Sequence, residues 1–272
     1  MKKILVAVDF SEASRKAMDY AAALASSFNT GLVLVHAFYM PAPVGDAPGY
    51  IPLSLTEVQE ENEAFLQREL EYLASNFRIR ADGYVRMGTV TGVIRELAKE
   101  IDADLLVMGM KGAGRSISLF GSTVVSAIRK LKMPLLVIPE QHTFSYIKYI
   151  CFACDFTEKA GAHPHQMLET IATHFNADVR VLHVQKDEIA LGGSEVAGKM
   201  AADLALSRIR HNFHTMVDAD VEKGINDFIA TNPTDLLVMV SHHHNLFERL
   251  FIKEHSRQMV YQARIPLLVL YD

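Results

Sequence analysis

Glycines at positions 109, 112 and 114 follow directly on the apolar run Leu105-Leu106-Val107-Met108, and Gly121 stands just before Ser122, Thr123 and Val124. A chain that leaves a buried strand through glycines can wrap closely around a ligand, because no Cβ holds the backbone away. Gly121 in turn opens a helix. Ser122 and Thr123 suit a helix start, Val124, Val125, Ile128 and Leu131 recur on one face, and Pro134 ends the run. Free backbone N–H groups and the positive end of the helix dipole therefore converge beside a glycine loop. That combination suits a phosphate group.

Such a loop needs a scaffold that holds it at one end of a sheet, and the residues before Gln141 read as that scaffold. Ile4 to Val8 is an apolar run with the character of a central strand, and it stops at Asp9. A helix from Ser14 to Phe28 carries Ala17, Tyr20, Ala21 and Leu24 toward the sheet, and Gly31 turns the chain into a strand from Leu32 to His36. Thr56 to Asn76 reads as a long helix with a Glu-rich solvated face, Ile79 to Met87 as a strand, and Val93 to Glu100 as a helix. With the strand at Leu105 to Met108 and another at Leu135 to Pro139, the alternation predicts a doubly wound α/β domain with five parallel strands.

In that architecture ligands bind beyond the carboxyl ends of the strands, which is where Asp9 falls. Its carboxylate is expected to hold a ribose or a base; the alternative is that Asp9 or Ser11 caps the helix that follows. His36 reads as a core or rim histidine rather than a catalytic base. Residues 38–55 hold four prolines and two glycines, so they form neither a long helix nor a central strand but an excursion on the ligand side.

The run Gly109-Met110-Lys111-Gly112, followed after eight residues by Gly121-Ser122, resembles the nucleotide-binding signature of the universal stress protein family. That signature is a G-x-x-G pair preceding G-S or G-T, usually with a gap one residue longer. The resemblance implies ATP, or ADP or AMP, with magnesium accompanying the phosphates. It implies Val8, Asp9 and Ala37 around the adenosine and Gly109, Met110 and Gly112 along the phosphates. Gly121, Ser122, Thr123 and Val124 would serve at the helix start, and Lys111 and Arg115 would add positive charge.

The second half repeats the first. Ile150 to Glu158, ICFACDFTE, echoes ILVAVDFSE; Val179 to His183 echoes Leu32 to His36; Asp235-Leu236-Leu237-Val238-Met239 echoes Asp104 to Met108; and Ile265 to Val269 echoes Met133 to Val137. Matches in one order along the whole chain indicate a duplication. The expected organisation is two tandem doubly wound domains, residues 1–140 with the nucleotide motif and 147–272 with a degenerate one, each with a five-stranded, mainly parallel sheet flanked by helices. Counting from those anchors, Gly109, Gly112, Gly121 and Ser122 become Val240, His243, Lys253 and Glu254. Side chains, one of them a carboxylate, then occupy the place of the phosphates, so nucleotide is expected in the first domain only.

Cys151 and Cys154 form a C-x-x-C, but within a predicted buried strand residues three apart face opposite ways, and they read as core residues. Eleven of the twelve histidines lie beyond residue 140. His242, His243 and His244, with His163, His165 and His255, could form a zinc edge, though no paired ligand spacing supports one. A polar loop is the preferred reading.

Net charge is −5 and the basic residues are scattered, which argues against a nucleic-acid or anionic membrane surface. No stretch reaches the length of a membrane helix, and two cysteines without a targeting signal point to a reducing cytoplasm. A Walker G-x-x-x-x-G-K-S/T and a G-x-S-x-G are both missing, which argues against efficient phosphoryl-transfer or acyl-transfer catalysis; the resemblance implies nucleotide binding in a stress response. A slow ATPase, or one that phosphorylates its own Ser122 or Thr123, is the alternative, and a scaffold with a ligand in the second domain is a third. Leu135 to Pro139 and Leu267 to Tyr271 are apolar terminal strands expected to pair within the chain as a pseudo-twofold unit, with association of two chains left open.

Overall fold

The computed structural model of the chain describes residues 1–40, 54–111, 120–156, 165–187, 192–241 and 264–271. The first half contains β1 (Lys3–Ala7), α1 (Glu12–Phe28), β2 (Gly31–Phe38), α2 (Leu55–Phe77), β3 (Ala81–Met87), α3 (Val90–Glu100), β4 (Leu105–Gly109), α4 (Ser122–Lys130) and β5 (Leu135–Ile138). The second contains β6 (Tyr149–Ala153), α5 (His165–Phe175), β7 (Asp178–Gln185), α6 (Gly193–Ala205), β8 (His211–Val217), α7 (Val221–Thr231), β9 (Leu236–Ser241) and β10 (Leu267–Tyr271).

Each half is a parallel five-stranded sheet, and the order across both is β3-β2-β1-β4-β5-β10-β9-β6-β7-β8. The expected pairing of the terminal strands is present: β5 and β10 run antiparallel, with Leu136 opposite Leu268. Leu135, Leu136, Val137, Leu267, Leu268 and Val269 are each 2% exposed or less, so two apolar edges that would template aggregation if left open are buried against each other.

Alternation along the strands sends side chains into two layers. Ile4 and Val6 of β1 join the layer covered by α1, α2, α5 and α6, whereas Leu5 joins the layer covered by α3, α4 and α7. The helices start where hydroxyl side chains can accept first-turn N–H groups. Ser11 accepts from the Ser14 N–H at 3.2 Å, and Ser54 and Glu57 form a reciprocal capping box. Thr89 accepts from the Gly92 N–H at 3.3 Å, which starts α3 one turn before Val93, where the apolar spacing had placed it.

The duplication extends to small details. α1 and α5 are each followed by an asparagine in the left-handed region, Asn29 at φ 51° and Asn176 at φ 48°. Asp104 Oδ2 accepts the Lys2 and Lys3 N–H groups, and Asp235 Oδ2 accepts those of Lys148 and Tyr149. In both halves one carboxylate ties the entry to β1 or β6 to the entry of the neighbouring strand.

Cys151 lies inside β6 and Cys154 just past its end, and burial pushes both thiols up to about 12. Neither is a thiolate at neutral pH, which fits core residues and not a redox pair. His163, His242, His243, His244 and His255 lie outside the described residues, as does most of the proline-rich excursion. Among the described residues no group of three His, Cys, Asp or Glu side chains comes together as a metal site, and no helix is long and apolar enough to cross a membrane.

Candidate functional site

The chain proceeds from β1 to β3 toward one edge and then returns through β4 and β5 on the other side of β1, so β1 and β4 flank the topological switch point, the place at which sheets of this kind bind ligands. Val8 continues the ladder one residue beyond β1, its N–H donating to the Val35 carbonyl at 2.9 Å. The chain then turns sharply at Phe10, whose φ of 61° is in the left-handed region. Asp9 sits exposed at the turn, and its Oδ1 accepts both the Ser11 N–H at 3.1 Å and the Ser11 hydroxyl at 2.5 Å. The capping alternative therefore describes Ser11, which caps α1, while Asp9 holds Ser11 in place.

The turn at Phe10 is braced from β2. Its ring lies 4.4 Å from that of His36 and 5.3 Å from that of Phe65 on α2. His36 Nδ1 lies 2.8 Å from the Val8 carbonyl, an acceptor only, so the proton is on Nδ1 and the residue acts as a rim brace. Ala37 follows it, half-buried, toward the end of β2.

Gly109 closes β4. A Cβ at this position would stand 2.7 Å from the Ala13 carbonyl oxygen and 2.9 Å from its carbon, both backbone atoms of the first turn of α1. The glycine thus lets α1 pack directly on β4, a role that motif reading had assigned to phosphate approach alone. Met110 donates its N–H to the Ile138 carbonyl at 2.8 Å and accepts from the Gly121 N–H at 2.9 Å, which sets the start of α4 against the end of β4. Its side chain is 4% exposed, so only its backbone is available to a ligand. Lys111 is exposed, while Gly112 and Arg115 lie outside the described residues.

Gly121 is the N-cap of α4 and supplies no capping side chain, so among the described residues no side chain caps the first-turn N–H groups of Ser122, Thr123 and Val124. Ser122 and Thr123 are exposed, and Val124 anchors the turn in the core at 2% exposure. A helix start that no described side chain caps leaves first-turn N–H groups suited to an anion.

The second half rebuilds the turn with different packing around it. Phe156 has φ 53°, its ring stacks 4.6 Å from His183, and His183 Nδ1 lies 3.0 Å from the Cys154 carbonyl. Here, however, Val240 replaces Gly109, and α6 lies so close that a Cβ at Gly198 would overlap the Phe156 carbonyl. His183 is 4% exposed, a closed corner where the first half leaves His36 on the rim. The brace itself was missed in sequence, though Asp-Phe at 9–10 and 155–156 with His36 and His183 carried its signal.

Comparison with known proteins gives this architecture a family. Over 101 residues the chain is 36% identical to universal stress protein G of Shigella flexneri, an overlap of 34% of this chain and 71% of that protein. It is 32% identical over 146 residues to a universal stress protein E homolog of Haemophilus influenzae, covering 50% of this chain and 47% of the other. The crystal structure of a universal stress protein from Archaeoglobus fulgidus DSM 4304 superposes with a TM-score of 0.74 over 99% of this chain and 98% of that one; at 17% identity the likeness is one of fold. With the universal stress protein family model matching residues 1–139 and again 147–270, the chain belongs to that family as a tandem, two-domain member.

Proposed function

We propose that the first-domain crevice binds one adenine nucleotide, ATP or a related form, and that the second domain is structural or regulatory. The observation that carries this reading is the start of α4, where no capping side chain stands at Gly121 and the Gly121 N–H donates to the Met110 carbonyl at the end of β4. In the proposed complex the first-turn N–H groups of Ser122, Thr123 and Val124 meet the phosphates. The adenosine lies toward Val8, Asp9 and Ala37, and Lys111 neutralises charge, with magnesium accompanying the triphosphate. Gly112 and Arg115 belong to the same proposal from the motif. The protein is proposed to act in the cytoplasm as a binding protein of the stress response.

Calorimetric titration with ATP and magnesium tests the assignment, beside a Gly121→Lys variant that copies the second half. Binding near one nucleotide per chain, lost in the variant, is the expected result. Absence of binding at millimolar ATP overturns it. Turnover well above background, abolished by Asp9→Ala, would replace a binding protein with an enzyme.

A further inference from the structure

α2 and α6 occupy the same place in the two halves but turn faces of opposite character to solvent. Phe65 of α2 lies against Phe10, and Gly198 of α6 lies against the matching Phe156. Ala202 and Leu206 are then buried where Glu69 and Leu73 are. In that register the outward positions Glu60, Glu63, Gln67 and Glu71 of α2 become Gly193, Val196, Met200 and Leu204 of α6. On α2 the face is polar, with the Gln59 amide donating to Glu63 at 2.8 Å and the Gln67 amide to Glu71 at 3.0 Å. On α6, Val196, Met200 and Leu204 recur every four residues and are 45%, 70% and 76% exposed.

The three side chains lie on the side of the helix away from the buried Gly198 and Ala202, so they form one apolar stripe about 12 Å long. α6 packs over β8, the outermost strand of the sheet. Lys199 Nζ stands 4.9 Å over the Phe213 ring, and Asp203 Oδ1 lies 2.9 Å from His211 Nε2. The stripe therefore stands at one end of the ten-stranded sheet, where a second molecule can reach it. Beside it run Glu195, Lys199 and Asp203, alternating in sign, unlike the lysine-rich face that an anionic membrane selects.

We propose that α6 is a self-association surface, on which a second copy of the chain packs its own α6 antiparallel about a twofold axis near Met200. In that arrangement Met200 meets Met200, Val196 of one copy meets Leu204 of the other, and Lys199 stands beside the other copy's Asp203. A parallel pair would set Lys199 against Lys199 and Asp203 against Asp203, so charge selects the antiparallel form. Ala197 and Ala201, also exposed, let the two helices approach closely. Covering the three apolar side chains removes on the order of 300 Å² per copy, or about 600 Å² for the pair. A permanent complex buries about 1,200–2,000 Å², so this dimer is weak and concentration-dependent.

Sedimentation velocity of the intact chain, from about 5 to about 500 μM, tests the assignment. A monomer–dimer equilibrium with a Kd of about 100 μM is expected. Met200→Glu, which copies the acidic face of α2 at a side chain the fold leaves exposed, should weaken it about tenfold or more. A short bismaleimide cross-linker gives a second reading. Met200→Cys should be joined into a covalent dimer, whereas Leu204→Cys, about 12 Å along the helices from its twofold mate, should be joined several-fold less. The unsubstituted chain controls for Cys151 and Cys154. A monomer throughout the range, a dimer that Met200→Glu leaves intact, or equal cross-linking at the two positions overturns the proposal. So does a chain that stays monomeric but binds phosphatidylglycerol vesicles through Met200, since a lipid surface would then be the occupant.

Discussion

Gly109→Ala separates two reasons for a glycine at the mouth of a nucleotide motif. The added methyl would lie 2.7 Å from the Ala13 carbonyl oxygen and 2.9 Å from its carbon. Carbon prefers neighbours at about 3.5 Å, so β4 and the first turn of α1 must part by roughly 0.5–1 Å. Both sides are backbone, and no side chain can swing aside. Overpacking of this kind costs about 1–3 kcal/mol, equivalent to a urea midpoint lower by roughly 0.5–1 M. The assay is urea unfolding of the nucleotide-free protein, followed by tryptophan-independent far-UV circular dichroism since the chain has no Trp. An unchanged midpoint, with loss only of the stabilisation expected on adding ATP under the proposed function, would refute the packing account and return Gly109 to ligand approach. The converse substitution gives a control: Val240→Gly should also destabilise, by about 2 kcal/mol, because its side chain is 7% exposed and its removal leaves a void.

Stability should fall as the solution becomes alkaline. The folded Cys151 and Cys154 thiols are raised from 9.0 to about 12 by burial, so between those values the unfolded chain loses protons that the native chain keeps. The contribution is complete below pH 9 and lost as pH rises toward 12, at about 1.4 kcal/mol per pH unit for each thiol. Melting curves from pH 8 to 10.5 should therefore be flatter in a Cys151→Ala, Cys154→Ala protein. Arg15 pairs with Glu69, which is 7% exposed, and stacks 4.4 Å over Tyr72. Arg15→Met should cost about 1–3 kcal/mol in chemical unfolding, and adding Glu69→Leu should recover most of it, because the loss comes from an unpaired buried carboxylate. Asp235→Ala removes the acceptor of two N–H groups and should lower stability by about 1–2 kcal/mol, whereas Asp235→Asn, which keeps an oxygen, should lose less.

Most of the fold was legible because its signals are local. Short apolar runs bounded by polar residues marked β1, β2, β4 and β5, and the apolar character of Leu135 to Val137 and Leu267 to Val269 implied the seam that joins the halves. The start of α3 was not legible, because the Thr89 hydroxyl overrode an apolar spacing that begins at Val93. At the candidate site Asp9, Gly109, Gly121 and Ser122 were singled out from a strand end, a glycine-rich loop, a helix start and the resemblance to a family motif. Their tasks were not, since Gly109 is required by backbone that arrives from α1, and Asp9 is oriented through Ser11.

What the amino-acid order determined by itself was the layered α/β class, the duplication and the asymmetry of the motif between the halves. Each is a property of periodicity or of residue identity at a register. What only the tertiary structure decided was which groups meet across the layers: His36 with the Val8 carbonyl, α6 with the backbone of Phe156, and Phe144 of the connector between the halves with Tyr20. Those contacts join residues far apart in the chain, and they exist only once the sheet has fixed the distance between its helices.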